Sequence, residues 1–124
     1  MTDEEQIRQL IAAFCQHLDD REFEAWWMLF VEDGSFNQRI GRDTIRDMIL
    51  AGELNTIPEL SRKHAIVNIT VNVSGDTATS KSDLCMFDRM GADAPWTLRV
   101  GRYEDQLVKV DGRWFFKHRE LHMV

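Results

Sequence analysis

The chain has 124 residues, a net charge of −6 and 44% hydrophobic residues, which together predict one domain with a sizeable core. The acidic balance, without a Lys/Arg cluster to neutralise phosphates, argues against nucleic-acid binding. The acidic N-terminus has no apolar signal core and no apolar run is long enough to span a bilayer, so we expect a cytoplasmic protein without a membrane segment.

The first element is a predicted amphipathic helix. Thr2 followed by Glu5 has the pattern of a capping box, which marks a helix start. The apolar residues that follow recur at helical spacing: Ile7, Leu10, Ile11, Phe14, Cys15 and Leu18. This stripe predicts a helix that ends near residues 19–21.

A second helix is predicted from about Glu22, because aromatic residues follow at offsets of three, four and seven. These residues are Phe23, Trp26, Trp27 and Phe30. Residues 32–34 (Glu-Asp-Gly) should end it, and 35–40 read as a short strand. A third helix is predicted from Gly41 to a stop at 51–52, followed by a loop over 53–61.

The period changes to two from Arg62 onward. Four strands are predicted, over residues 62–73, 77–89, 96–110 and 113–123, with turns between them. Helices that precede an antiparallel sheet, without βαβ alternation, indicate an α+β fold with the helices on one face of the sheet.

His64 is the first candidate for chemistry. It lies at the start of the first long strand, in phase with Asn68, Thr70 and Asn72, so that it can face a cavity. Asp19 lies one helical turn after Cys15, at the fringe of the apolar stripe and near the helix C-terminus, where a cationic partner is favoured. A carboxylate beside the imidazole would fix its tautomer and stabilise the imidazolium formed when His64 removes a proton. The alternative is that Asp19 is a solvated turn residue and His64 a structural strand-end residue.

Several strings, in register along nearly the whole chain, resemble the nuclear transport factor 2-like superfamily, especially its SnoaL-like branch. They are Leu18-Asp19, Phe23-Glu24-Ala25, Leu29-Phe30, Glu32-Asp33-Gly34, Gly41-Arg42 with Ile45, Arg62-Lys63-His64 with Asn68, Gly75-Asp76-Thr77-Ala78, Gly101-Arg102-Tyr103-Glu104-Asp105 and Asp111-Gly112-Arg113-Trp114. The resemblance implies a single SnoaL-like domain over 1–124. It also implies a cone-shaped fold, in which a curved antiparallel sheet surrounds helices and an apolar pocket, and a homodimer or higher homo-oligomer.

The resemblance also implies a catalytic pair. In scytalone dehydratase and hexachlorocyclohexane dehydrochlorinase, an aspartate at the end of the first helix acts with a histidine at the start of the first long strand, and Asp19 and His64 match these positions. We therefore expect a cofactor-independent lyase or isomerase that acts on a small, mostly apolar organic molecule. The tyrosines around the cavity of such dehydratases are not clearly reproduced, and Phe14 stands where many relatives have Tyr.

Six further residues are candidates for substrate binding. Tyr103 and Arg99 share parity on the strand 96–110, and Asn68 lies two pleats from His64, so each is a possible hydrogen-bond donor. Trp26, Phe14 and Trp96 are candidates for the apolar wall. Core packing is the alternative for the aromatic residues, and ion pairs are the alternative for Arg99.

No metal or cofactor is expected. His118 and His122 are four residues apart, but on a strand this places them about 13 Å apart, too far to share one ion. Cys15 and Cys85 are distant and set in apolar patterns, so reduced core thiols are favoured over a metal pair or a disulfide. No phosphate-binding loop, nucleophile elbow or dinucleotide fingerprint is present.

Two non-catalytic functions remain as alternatives. The string from Gly101 to Trp114 also resembles the small subunits of ring-hydroxylating dioxygenases, which would make the chain a subunit of a larger complex. A carrier of apolar ligands is the other alternative, and binding without chemical change would be its sign.

Overall fold

The computed structural model describes residues 1–124 as four helices and one six-stranded sheet. The helices are α1 (Asp3–Asp19), α2 (Phe23–Trp27), α3 (Arg42–Ala51) and α4 (Glu53–Thr56). The strands are β1 (Phe30–Phe36), β2 (Arg39–Ile40), β3 (Leu60–Ser74), β4 (Thr77–Met90), β5 (Thr97–Val110) and β6 (Arg113–Met123).

The sheet has the strand order β2-β1-β6-β5-β4-β3 and does not close. All neighbouring strands are antiparallel except β1 and β6, which are parallel. The long α1 packs mainly against β3, at the opposite edge of the sheet from β2. The predicted α+β class, with N-terminal helices packed on a curved antiparallel sheet, is therefore confirmed.

Helix α1 begins and ends as predicted. The Thr2 hydroxyl accepts a hydrogen bond from the Glu5 N–H at 3.1 Å, and the Thr2 N–H donates to the Glu5 carboxylate at 2.9 Å, which completes the capping box. All six residues of the predicted apolar stripe are buried. Asp19 is the last helical residue, so its side chain is carried on the rigid end of the helix.

The second helix is shorter than predicted. It ends at Trp27, and Phe30 belongs to β1 instead of the helix. Gly34 lies inside β1, where a side-chain Cβ would come within 2.9 Å of the Val31 carbonyl oxygen and 3.2 Å of that of Phe116. The sequence pattern predicted that Gly34 ends a helix. In the structure a glycine is required there because the irregular strand β1 comes close to β6. The predicted loop over 53–61 likewise contains α4 and the first residues of β3.

The alternation along β3 is interrupted by a bulge between Val67 and Thr70. Asn68 adopts a positive φ of 55° there, so the two ends of the strand present opposite parities to the core. Before the bulge His64 is buried; after it Ile69 packs on the core. The prediction that His64 lies in phase with Asn68, Thr70 and Asn72 is wrong, because the extra residue at the bulge reverses which side of the strand the later residues face.

One hydrophobic core of 19 buried residues fills the space between the helices and the concave face of the sheet. Phe14 stands at its centre, with Trp26, Phe30, Phe36, Tyr103 and Phe116 around it at ring-centroid distances of 5.4–6.3 Å. No helix is both long and apolar enough to cross a membrane.

Candidate active site

The Asp19 carboxylate joins the end of α1 to the start of β3. Its two oxygens accept hydrogen bonds from the backbone N–H of His64 at 3.1 and 3.2 Å. Lys63, the preceding residue, has its ammonium 3.6 Å from Oδ2. The negative end of the helix dipole disfavours a carboxylate at this position. The backbone donor and the positive charge from the neighbouring strand offset this unfavourable interaction.

The same carboxylate binds the His64 ring. The distance from Nδ1 to Asp19 Oδ1 is 2.7 Å, and both side chains are only 6% exposed. Because a carboxylate only accepts hydrogen bonds, Nδ1 carries a proton, which leaves Nε2 of the neutral ring as an acceptor. Nε2 makes no hydrogen bond within the protein, so this nitrogen is free to take a proton.

A small pocket of about 280 Å³ adjoins the pair, between α1 and the first half of β3. Besides Asp19 and His64, its lining residues are Ile11, Ala12, Cys15, Gln16, Lys63, Ile66 and Ile69. Its volume lies just below the usual range of about 300–1,000 Å³ for small-molecule sites. A larger groove of about 880 Å³ runs along β1, β5 and β6 and the β3–β4 turn, but it contains no histidine.

Tyr103 and Phe14 lie in the interior of the cone, next to an arginine. The guanidinium of Arg119 is 3.6 Å from the centroid of the Tyr103 ring and 4.2 Å from that of Phe14. Arg119 and Tyr103 are 0% and 2% exposed. Burial raises the pKa of the Tyr103 hydroxyl, and the nearby Arg119 charge opposes this increase only in part, so the phenol is a neutral donor at physiological pH.

Arg119 is held by a buried ion pair that the sequence pattern does not predict. Its Nε donates to Asp105 Oδ1 at 2.8 Å, and the Ser80 hydroxyl donates to Asp105 Oδ2 at 2.7 Å. The pKa of Asp105 is raised overall, because burial outweighs the lowering by the charge of Arg119 and by the two hydrogen bonds. The available signal was the parity of Asp105 with Tyr103 and Leu107, which places it on the inner face of β5.

Three other predicted binding residues lie away from the His64–Asp19 pair. Asn68 is exposed and donates to Asp83 Oδ2 at 2.9 Å, because the β3 bulge turns it outward. Arg99 shares the parity of Tyr103, but its side chain is 56% exposed and lies 3.4 Å from Asp88. Trp96 is 49% exposed and precedes β5, with the Arg89 guanidinium over its ring.

Trp26 is 1% exposed and packs edge-on against Phe14, while its neighbour Trp27 is only partly buried. Adjacent residues on a helix point about 100° apart, which explains why Trp26 is buried and Trp27 only partly so. The structure thus brings His64 and Asp19 together and places Tyr103, Phe14 and Trp26 in one aromatic interior. Asn68, Arg99 and Trp96 lie outside both groups.

The chain is similar to a set of solved structures. A protein provisionally named scytalone dehydratase, from Novosphingobium aromaticivorans, is 30% identical with a TM-score of 0.86, covering 98% of this chain and 84% of that one. A nuclear transport factor 2-like protein with a cystatin-like fold, also from Novosphingobium aromaticivorans, is 26% identical with a TM-score of 0.87, covering 98% and 82%. A Mycobacterium tuberculosis protein of unknown function is 25% identical with a TM-score of 0.83, covering 98% and 72%.

A search among curated proteins gives no match. The family model for the SnoaL-like domain matches residues 1–120, which is nearly the whole chain. This match agrees with the fold of the solved neighbours. The chain therefore belongs to the SnoaL-like domain family, with the nuclear transport factor 2-like fold.

Proposed function

We propose that residues 1–124 act as one SnoaL-like domain that catalyses proton transfer on a small, mostly apolar organic molecule, as a cofactor-independent lyase or isomerase. The observation that carries this proposal is the 2.7 Å hydrogen bond between His64 Nδ1 and Asp19 Oδ1 in a site where both side chains are 6% exposed. His64 is the general base, and Asp19 orients it.

The proposed step begins with Nε2 of His64, which accepts a proton from a carbon of the bound molecule. The electron pair of the broken C–H bond forms a new double bond in the substrate. In an elimination a leaving group departs with the electron pair of its bond and can take the proton from the imidazolium. In an isomerisation the π electrons of a double bond already present in the substrate form the new C–H bond, so that a different carbon takes the proton back from the imidazolium. Asp19 stabilises the imidazolium between these two transfers.

The surroundings of the pair favour an apolar substrate. Ile11, Ile66 and Ile69 line the pocket beside His64, and the low exposure of the ring limits water around Nε2. Low local water content strengthens the interaction between imidazolium and carboxylate. The name of the Novosphingobium neighbour at 30% identity, a provisional scytalone dehydratase, supports dehydration as one form of this chemistry.

The test measures deuterium exchange by NMR in D₂O, with a panel of small ketones, enones and β-hydroxy ketones. We expect the wild-type protein to exchange or eliminate at least one of these compounds. His64→Ala and Asp19→Asn should each lower that rate by about 10²- to 10⁴-fold, the usual contribution of a positioned base. His17→Ala is the matched control, because His17 Nδ1 lies 2.9 Å from Glu22 Oε1 in a similar histidine–carboxylate pair whose side chains are 28% and 55% exposed.

Wild-type rates in the His64→Ala and Asp19→Asn variants would contradict the proposal. Tight binding of an apolar compound with no exchange would favour the carrier alternative. Co-purification with a larger iron-containing protein would instead favour a non-catalytic subunit of a dioxygenase-type complex.

We also propose that the protein is a cytoplasmic homodimer that associates through the outer face of its sheet. Large hydrophobic side chains stay exposed on or beside this face, among them Val67 at 46%, Leu98 at 55% and Val100 at 38%. A second copy would remove them from water. The cytoplasmic location is supported by Cys15 and Cys85, which are both free thiols and so fit a reducing compartment. Light scattering during size-exclusion chromatography tests the dimer, and a monomer mass at micromolar concentration would contradict it.

A further inference from the structure

The side chain of His118 lies between a serine and a glutamate. Ser35 of β1 is its partner in the parallel register with β6, and Ser35 Oγ lies 2.5 Å from His118 Nδ1. The other ring nitrogen, Nε2, lies 2.9 Å from Glu120 Oε1. His118 and Glu120 flank the fully buried Arg119, so their side chains point to the outer face of the sheet, where they are 27% and 39% exposed. The proposed proton transfer uses none of these side chains.

The hydrogen bonds fix the state of the His118 ring. The Glu120 carboxylate only accepts, so Nε2 carries the proton of the neutral ring and Nδ1 is the acceptor. The Ser35 hydroxyl therefore donates to Nδ1. A serine that donates to a histidine, which in turn donates to a carboxylate, is the arrangement of a nucleophile, its base and the group that orients the base.

Two grooves meet beside His118. The first, which we call the polar groove, has a volume of about 500 Å³ and is lined by His118, Glu120 and other residues of which none is hydrophobic. The second is the larger groove of about 880 Å³, whose hydrophobic lining residues include Val108, Val110 and Phe115. The two grooves share the lining residues Asn72, Thr79 and Gln106. Gln106 is the partner of His118 in the register of β5 and β6, so His118 lies close to the boundary between the grooves.

This arrangement fits an ester of an apolar acid with a polar alcohol. The hydrocarbon of the acyl part is removed from water in the larger groove. The polar groove carries both signs of charge at Lys81 and Glu104, which are direct partners in the sheet, so an uncharged alcohol part with hydroxyl groups suits it. A molecule that spans both grooves has its ester group near their boundary, beside His118.

We propose that Ser35 is a nucleophile, that His118 is its base, and that this second site hydrolyses esters of apolar acids with polar alcohols. Glu120 positions the imidazole and stabilises the imidazolium. This activity is additional to the proton transfer proposed for His64 and does not depend on it.

The proposed reaction has two halves. Ser35 Oγ forms a bond to the ester carbonyl carbon and gives its proton to His118 Nδ1, while the carbonyl π electrons move to oxygen. When they return, the bond to the alcohol breaks with its electron pair, and the alcohol oxygen takes the proton from His118. A water molecule then repeats both steps on the acyl group, which leaves as the acid and restores the Ser35 hydroxyl.

The second site and the proposed dimer contact occupy different parts of the outer face. Val100, which belongs to the proposed contact, precedes Gln106 on β5 by six residues, which is about 20 Å along an extended strand. Leu98 lies further away in the same direction. A dimer contact around these two residues is therefore compatible with a substrate beside His118.

The test uses para-nitrophenyl butanoate, an activated ester that releases coloured para-nitrophenolate. We expect a burst of about one equivalent of nitrophenolate per protein chain, followed by slower turnover, because the acyl-enzyme forms before water removes the acyl group. Mass spectrometry of the acid-quenched and digested protein should locate one butanoyl group on Ser35. The corresponding acetate should react roughly tenfold more slowly, because it lacks two methylene groups that the larger groove would cover.

The variants separate the three roles. Ser35→Ala should abolish the burst and the label while its circular dichroism spectrum stays native. His118→Gln should lower the acylation rate by about 100-fold or more. Glu120→Gln should lower it by about tenfold, because the nucleophile and base remain but the imidazolium loses its charged partner. Ser61→Ala is the matched control, because Ser61 is also a partly buried serine on a strand but has no histidine partner.

Three results would overturn the inference: no acyl group on Ser35 of the wild type, a burst that persists in Ser35→Ala, or a wild-type acylation rate in His118→Gln. Each would leave the bond between Ser35 and His118 as a structural link between β1 and β6. His64→Ala separates this inference from the proposed function, because it should lose proton exchange and keep the Ser35 label. Loss of the burst in His64→Ala would place the ester reaction at the first site and contradict the inference. A Ser35 label in a protein that exchanges none of the carbonyl compounds would support the second site and contradict the first.

Discussion

The Asp19 carboxylate has a structural role in addition to the chemical role that we propose for it. Asp19 accepts hydrogen bonds from the His64 backbone and from its ring, so the residue that orients the imidazole also fixes the start of β3 against α1. The ring orientation is therefore set by the packing of two elements. If His64 is the base that we propose, an imidazole held in this way would lose little entropy when a substrate binds.

Cys15 provides a test of how dry this part of the core is. Burial raises the pKa of its thiol to about 12, and the thiol is 5% exposed, so it should stay protonated and unreactive at pH 8. We expect a disulfide reagent to modify Cys15 only after unfolding. Cys85 lies opposite Val100 on the outer face of the sheet, so its rate of modification in the native protein reports whether a second copy covers that face. The measurement is a thiol titration with mass mapping of the modified peptides, and Cys85→Ala is the control that should leave no fast-reacting thiol. Fast modification of Cys15 at pH 8 would contradict the burial.

At the scale of elements, the bulge in β3 decides which side chains reach the core. Strict alternation along the strand would give His64 and Ile69 opposite orientations, because they differ by an odd number of residues. The extra residue near Asn68 corrects this difference, so that both can face inward.

Replacement of Asn68 should therefore have a larger effect than its exposure suggests. Asn68→Val should lower the free energy of unfolding by about 1–2 kcal/mol, because a β-branched residue is strained at a φ of 55°. Asn68→Gly should be close to neutral, because glycine accepts this φ while the bond to Asp83 is lost. Urea unfolding measures both, and Thr70→Val, also exposed on β3, is the control. Equal stability of Asn68→Val and the wild type would contradict the predicted strain at this position.

The elements that could be predicted are those with a local cause. Helix α1 has both a capping box and a complete apolar stripe, so its bounds and its Asp19 end follow from short-range rules. The end of α2 and the start of β1 do not follow from such rules, because Phe30 would be buried whether it belonged to a helix or to a strand. The contact between Gly34 and β6, which is distant in sequence, selects the strand. The Asp105–Arg119 pair also escaped prediction, since charged residues on a strand are normally exposed and nothing local shows that two of them meet in the core.

The buried ion pair links residues from two strands to the stability of the whole molecule. Asp105→Asn should lower the free energy of unfolding by about 3–5 kcal/mol, because Arg119 would keep its charge at 0% exposure without a carboxylate. The control is Asp33→Asn, which breaks the Asp33–Lys117 pair between β1 and β6, where Asp33 is 78% exposed. Its unfolding midpoint should hardly change. Both are measured by urea unfolding at pH 7, and equal midpoints for the two variants would contradict the prediction.

The parallel pairing of β1 with β6 has a consequence for how the protein is made. Ser35 and His118 are neighbours in the sheet although 83 residues separate them in sequence, so β1 has no β6 partner until β6 has been synthesised and has left the ribosome. Until then Phe30 can pack on Phe14 and Trp26 but not on Phe116 of β6, so the core around β1 stays incomplete. We expect folding to be slow and to follow synthesis, and the nascent chain to depend on protection from aggregation during this interval.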